Sequence, residues 1–218
     1  MTDSDRRPLK SRNTRWAAAG TRLLVRMSVP PNHISIASVI AACMAGASLV
    51  SVHIVSAPLA SISLYVAAAL FIQVRLLCNL FDGLVAVEGG RMSKSGQVFN
   101  DLPDRISDAV ILICAGYSVP IAGFHGIELG FIAALLALVT AYVRVLGVAC
   151  GTPHYFVGPM AKPHRMAVIT AACILSAVEP FTRLRGWAMF AALVLVALGC
   201  VVTILRRTRL VLRWLNSQ

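Results

Sequence analysis

The chain has 218 residues, of which 58% are hydrophobic and 13% charged, and its formal net charge is +11. A soluble domain is about half apolar and about a quarter charged, so an ordinary soluble α/β enzyme, a disordered chain and a disulfide-stapled secreted domain are excluded. In so apolar a chain the basic surplus reads as juxtamembrane arginine rather than a nucleic-acid surface, and the class is an integral membrane protein.

Taken from the N-terminus, the first 33 residues carry seven Lys or Arg, and no apolar core precedes Ile34, so no cleavable signal is expected. Asn13 to Met27 is amphipathic: Trp16, Gly20, Leu23 and Met27 share one face, and Arg15, Arg22 and Arg26 another. This predicts a helix lying on an anionic membrane surface, with a solvated arginine-rich tail as the alternative. Pro30 and Pro31 end it, and Asn32 is placed to cap the first span.

Six apolar segments follow: Ile34 to Val55, Leu59 to about Cys78 (with an apolar pattern continuing to Val87), Ala109 to Phe124, Ile127 to Cys150, Met166 to Val178 and Trp187 to Leu205. Spans in lipid must close their own backbone hydrogen bonds, so an all-α polytopic fold with six transmembrane helices is expected. The expected organisation is a cytoplasmic arm with its amphipathic helix over 1–30, a six-helix transmembrane unit over 31–207 and a cytoplasmic tail over 208–218. Frequent Ala and Gly in the spans suit close helix packing.

With the N-terminus in the cytoplasm and the helices alternating, eighteen of the twenty basic residues fall on the inner side, and only Arg183 and Arg185 outside. Both termini are therefore expected to be cytoplasmic. The six cysteines form no C-x-x-C pair or Cys/His cluster, so they read as buried thiols rather than a zinc or disulfide framework. His33, His53 and His125 fall at helix ends and read as interfacial.

Of nine acidic residues, five lie between positions 82 and 108: Asp82, Glu88, Asp101, Asp104 and Asp108. Carboxylates at a bilayer edge are costly unless paired or metal-bound, which marks this segment as the functional one. Asn79, Asp82, Gly83 and Ala86 share one helix face, and Asn100, Asp104 and Asp108 recur every four residues on the next helix, with Asp101 beside them. Facing oxygen-bearing side chains without thiolates suit Mg²⁺ or Mn²⁺. The spacing equally fits an interhelical hydrogen-bond cluster neutralised by Arg75, Arg91 and Arg105.

Asn79-x-x-Asp82-Gly83-x-x-Ala86, then Gly96, then Asn100-x-x-x-Asp104, resembles the signature of the CDP-alcohol phosphotransferase family, D-x-x-D-G-x-x-A-R, eight residues, then G-x-x-x-D-x-x-x-D. Asp104-Arg105-Ile106-Ser107-Asp108 is similar to the D-R-x-x-D of its inositol-phosphate and glycerol-phosphate branches. Pro31-Asn32-His33-Ile34-Ser35 resembles the family's entry to the first helix. Tyr142-Val143-Arg144 and Lys162-Pro163-His164-Arg165 resemble degraded forms of S-Y-[VI]-[KR]-A-R and R-P-E-R. Three departures stand out: Asn79 and Asn100 replace the first and third signature aspartates, and Val87 replaces the arginine. The two amides lower the ligand charge while keeping carbonyl oxygens, so one ion or a weakly held second ion is expected. Asn100 also has a reading as a helix cap, because Pro103 favours a helix start.

The resemblance implies phosphatidyl transfer from a CDP-lipid, such as CDP-diacylglycerol, to a hydroxyl acceptor with release of CMP, on the cytoplasmic side of a bacterial inner membrane. One or two Mg²⁺ or Mn²⁺ ions would be held by Asn79, Asp82, Asn100, Asp101 and Asp104. Asp104 would be the general base; Asp82, Gly83, Ala86, Gly96 and Arg91 would border the nucleotide. Arg144, Lys162, Arg165 and Asp108, with His154 and His164 nearby, would bind a phosphorylated acceptor such as glycerol 3-phosphate or inositol phosphate, unless these basic groups only satisfy the positive-inside bias. Where that branch has a second arginine, this chain has Leu146, which weakens the inositol-phosphate option. The implied partners are membrane phospholipid and a second copy in a homodimer, not nucleic acid. The competing readings are a catalytically inactive relative that binds CDP-lipid or a partner protein, and a small cation transporter.

Overall fold

A computed structural model describes residues 14–90, 96–119, 125–179 and 186–218, apart from the side chains of Gln97 and Asn100. The described residues form helices α1 (Arg15–Arg26), α2 (Pro31–Val52), α3 (Pro58–Glu88), α4 (Gly96–Tyr117), α5 (Gly126–Ala149), α6 (Lys162–Val178) and α7 (Trp187–Leu215). Six of them close a ring in the order α2, α3, α6, α7, α5, α4 and back to α2; α4 also reaches α3, α6 and α7, and α1 packs outside against α3.

The interior is filled by side chains such as Leu49, Ile72, Leu112, Met166 and Leu193, while large apolar residues including Ile40, Leu70, Leu135 and Leu198 face outward. An apolar exterior on so apolar a chain is the pattern expected of a protein dissolved in lipid. Four helices, α2, α3, α5 and α7, are long and apolar enough to cross a membrane, and the protein is an integral membrane protein. The other two ring helices fall short for physical reasons: α4 carries Asp101, Asp104, Arg105 and Asp108, and α6 has 17 residues beginning with Lys162 and Arg165.

Where helices approach most closely, glycine makes it possible. A Cβ on Gly116 of α4 would lie 2.5 Å from the carbonyl oxygen of Gly126, and one on Gly130 of α5 would lie 2.8 Å from that of Leu112. The α4–α5 crossing is therefore backbone against backbone, as small-residue packing in lipid allows.

Several sequence expectations change in detail. Residue 30, which precedes a proline, is extended (φ −67°, ψ 136°), and Pro31 itself opens α2, so Asn32 lies within the first turn and is not its cap. Pro103 lies inside α4 rather than at its start. Asn100 is thus an interior helical position, and the cap reading of it is overturned. Helix α4 begins well before Ala109, and α7 continues as helix through the predicted tail to Leu215. On α1 the buried residues are Ala17 and Thr21, whereas Trp16, Leu23 and Met27 are exposed. Trp16 meets Phe81 of α3 edge-on at 6.1 Å, and Gly20 sits so close that a Cβ there would be 2.8 Å from the Phe81 ring. All six cysteines are free thiols, but only Cys173 and Cys200 are buried, with Cys43 and Cys150 exposed.

Candidate active site

Helices successive in the chain run in opposite directions, so the N-terminal ends of α2, α4 and α6 lie at the same end of the ring as the C-terminal ends of α3, α5 and α7. Nearly every chemistry-bearing residue singled out above lies at this end. Arg75, Asn79 and Asp82 come from α3; Asp101, Asp104 and Asp108 from α4; Arg144 from α5; Lys162 and Arg165 from α6.

Asp82 is buried, 4% exposed, and both of its oxygens accept hydrogen bonds: Oδ2 from the Ser35 hydroxyl at 2.8 Å and Oδ1 from the Gly83 backbone N–H at 2.6 Å. Among the described residues no Lys, Arg or His pairs with it. A desolvated carboxylate with hydrogen bonds but no ion-pair partner among the described residues is an arrangement that a bound cation suits. Beside it the backbone is uncrowded, since a Cβ on Gly83 would meet nothing within 4 Å.

Across from Asp82, Asn79 donates from Nδ2 to Asp104 Oδ1 at 2.7 Å, tying α3 to α4. The Lys162 ammonium contacts both Asn79 Oδ1 and Asp104 Oδ2. Deeper in, the fully buried Arg75 donates from Nη2 to the Asp104 carbonyl at 3.2 Å and to Asp108 Oδ1 at 2.6 Å, with Asp104 Oδ1 at 3.4 Å. Arg165 donates to the other oxygen of Asp108 at 2.5 Å, to the Met160 carbonyl at 2.8 Å and to the Thr140 hydroxyl at 3.3 Å. Asp108 is thus clamped between two guanidinium groups, and the pair of arginines joins α3, α4 and α6 into one buried network.

The expected acceptor residues divide. Asp108 and Arg165 are buried and hold each other. Arg144 is half-buried, pairs with Asp101 at 3.3 Å and lies over the Phe156 ring at 5.3 Å, which in turn stacks on His154. Asp101 also pairs with Arg105 at 3.3 Å, so its carboxylate joins two arginines. His164 lies 2.7 Å from the Pro159 carbonyl. Gly96 opens α4 and Ala86 is half-buried on α3. Arg91 and the side chain of Asn100 lie outside the described residues. Sequence reasoning gave no role to Ser35, although it stands in the quoted entry motif, and it missed Arg207. That arginine is buried and donates to the carbonyls of Val157 at 2.9 Å and Thr140 at 2.6 Å, whereas in the sequence it counted only toward the basic residues of the inner side. The one available signal was a basic residue continuing the helical pattern of α7.

A divalent ion, one of the groups the signature implies, finds part of its usual surroundings. Asp82 suits it, as the buried carboxylate above. Among the described residues, however, no three His, Cys, Asp or Glu side chains come together to hold an ion, and Lys162 stands between Asn79 and Asp104.

No family profile matches the chain. A curated relative, the archaetidylinositol phosphate synthase of Methanothermobacter thermautotrophicus, is 26% identical over 186 residues, covering 84% of this chain and 83% of the relative. Crystal structures of Mycobacterium tuberculosis phosphatidylinositol phosphate synthase share the fold. The one with CDP-DAG bound has a TM-score of 0.69 at 21% identity, covering 91% of this chain and 94% of that one. The one in complex with manganese and citrate has a TM-score of 0.68 at 20% identity, covering 88% and 87%.

Proposed function

We propose that this chain, a member of the CDP-alcohol phosphotransferase family by its signature spacing, its curated relative and its fold, is a membrane phosphatidyltransferase of phospholipid biosynthesis. It moves a phosphatidyl group from a CDP-lipid, CDP-diacylglycerol in the first instance, to a hydroxyl of a phosphorylated polyol. The observation that carries this is the meeting of the two signature halves: Asn79 on α3 hydrogen-bonds Asp104 on α4 at 2.7 Å, with the buried Asp82 carboxylate one turn away on α3.

The reaction is an in-line displacement at the lipid-bearing phosphorus. The acceptor oxygen bonds to that phosphorus, the bond from phosphorus to the bridging oxygen breaks, and CMP leaves with the electron pair. Asp104 takes the hydroxyl proton. Asp82, with the Asn100 amide and Asp104, would hold a divalent ion, which supplies positive charge to the diphosphate. The open backbone at Gly83, with Ala86 and Gly96, borders the nucleotide. Arg144, oriented by Asp101 and Phe156, meets the acceptor's phosphate. Asp108, Arg75 and Arg165 hold α3, α4 and α6 in register behind these groups. The names of the relative and the solved neighbours support an inositol phosphate as the first acceptor to test.

In the same reading all six ring helices span the membrane, the short α4 and α6 included, because their charges are paired inside the ring. Both termini and the site face the cytoplasm of a bacterial cell, α1 lies on the membrane surface with Leu23 and Met27 in lipid, and the protein works as a homodimer.

The test is CMP release. Purified protein is incubated with labelled CDP-diacylglycerol, Mg²⁺ or Mn²⁺, and inositol phosphate, glycerol 3-phosphate and neutral alcohols in parallel. Release that depends on a phosphorylated acceptor is expected. Nucleotide binding with no release under any condition would favour the second reading, an inactive CDP-lipid-binding relative. That reading draws on one observation, that Asp101, Asp104 and Asp108 are already engaged by Lys or Arg.

A further inference from the structure

The signature this chain varies carries four carboxylates, and two of those positions are amides here, Asn79 and Asn100. We propose that the ammonium of Lys162 is a built-in cation: it occupies the position between residues 79 and 104 where a second divalent ion would otherwise sit, leaving this chain a single-ion site centred on Asp82. This deepens the phosphatidyltransferase reading and rests on it for the presence of an ion at Asp82.

The geometry is specific. Lys162 opens α6 directly after the extended Ala161, which aims its side chain into the ring beside α3 and α4. Its Nζ contacts two oxygens from two helices, Asn79 Oδ1 and Asp104 Oδ2, as a bridging cation does. An ammonium carries three donors and no acceptor. Two of them are accounted for by these oxygens, which leaves the third for a phosphate oxygen.

The amide at position 79 is what makes the exchange work. Asn79 presents opposite faces to its two neighbours, donating from Nδ2 to Asp104 Oδ1 while its carbonyl oxygen accepts from Lys162. An aspartate there would set a second carboxylate against Asp104 without that N–H, and like charges so close need more positive charge than one ammonium supplies. The amide at position 79 therefore suits a single ammonium between it and Asp104. Charge points the same way: with two signature carboxylates gone, a second dication would leave a buried pocket strongly positive, next to Arg75, which already reaches Asp104 and Asp108.

The experiment counts ions and needs no turnover. Full-length protein in lipid nanodiscs is titrated with Mn²⁺ alone, and free Mn²⁺ is read by electron paramagnetic resonance. The wild type should saturate at one ion per chain, and the double variant Asn79→Asp/Lys162→Met at two. Zero or two ions in the wild type overturns the proposal, as does a folded double variant that binds no more than the wild type. The wild-type count needs no variant to fold. Because CMP release is not measured, an inactive protein that binds one ion would fail the enzyme reading and leave this one standing.

Discussion

At one end of the ring, Arg75, Asp104, Asp108, Lys162 and Arg165 come from three helices and bond to one another across the bundle. At the other, the ties between elements are neutral or made to backbone: Tyr65 of α3 donates to the Ser118 carbonyl after α4 at 3.2 Å. Glu179 at the end of α6 accepts from the backbone N–H groups of Gly186 and Ala188, each at 2.7 Å, and so caps α7; His125 pairs with Glu128 three residues along the same helix. Both ends contain carboxylates and hydrogen bonds of similar length. The difference lies in what each tie joins. The first end fixes the position of α4 relative to α3 and α6 through charged side chains, whereas the second caps helix ends and joins α3 to the end of α4 through the neutral Tyr65 hydroxyl.

The contrast breaks most completely at Asp108. Asp108→Ala would leave two buried guanidinium groups without their carboxylate, a loss of about 3–5 kcal/mol, and should sharply lower both the yield of monodisperse protein and its melting temperature in detergent. Asp104→Asn keeps the shape of the network and removes the proposed base. CMP release should fall about 10²- to 10⁴-fold, while the melting temperature moves far less than in Asp108→Ala; a variant retaining full turnover removes Asp104 from the chemistry. At the opposite end, Glu179→Ala removes a helix cap and should cost about 1 kcal/mol of stability, read as a modest drop in melting temperature with CMP release per folded molecule unchanged. The smallest effect belongs to His125→Ala. Its pair with Glu128 is exposed to solvent, so neither melting temperature nor CMP release should change measurably.

Much of this architecture was legible in the chain. Six apolar runs gave the helices of the ring, because burial in lipid demands long apolar stretches and leaves little freedom in how they are met. Their ends were harder. Helices α4 and α7 run past the apolar segments, back to Gly96 and on to Leu215, since a helix can be sustained by its neighbours and its own hydrogen bonds without an apolar signal. In the site, periodicity placed Asn79 with Asp82 and Asp104 with Asp108 on their helices, because spacing along a helix is a local property. The partners of those residues were not legible. That Arg165 would meet Asp108 rather than stand open, and that Lys162 would contact Asn79 and Asp104, depends on how α6 is set against α3 and α4, which no spacing within one segment encodes. The burial of Arg207 was hidden for the same reason: its acceptors, Val157 and Thr140, lie on other parts of the chain.

The charges on α4 also bear on how the protein is made. In the proposed six-span topology, a segment with Asp101, Asp104, Arg105 and Asp108 in its first half is a poor insertion signal by itself, because an ionised group opposes insertion, by about 2.5–3.5 kcal/mol at the membrane centre and by less toward the edge. Arg75 of α3 emerges from the ribosome before α4, but Arg165 of α6 emerges after it. During synthesis Asp108 therefore has at most one of its two guanidinium partners, and the segment's place in the bilayer becomes secure only when α6 arrives. In that topology biogenesis is accordingly a collective event, in which an arginine of α6 completes the insertion of α4.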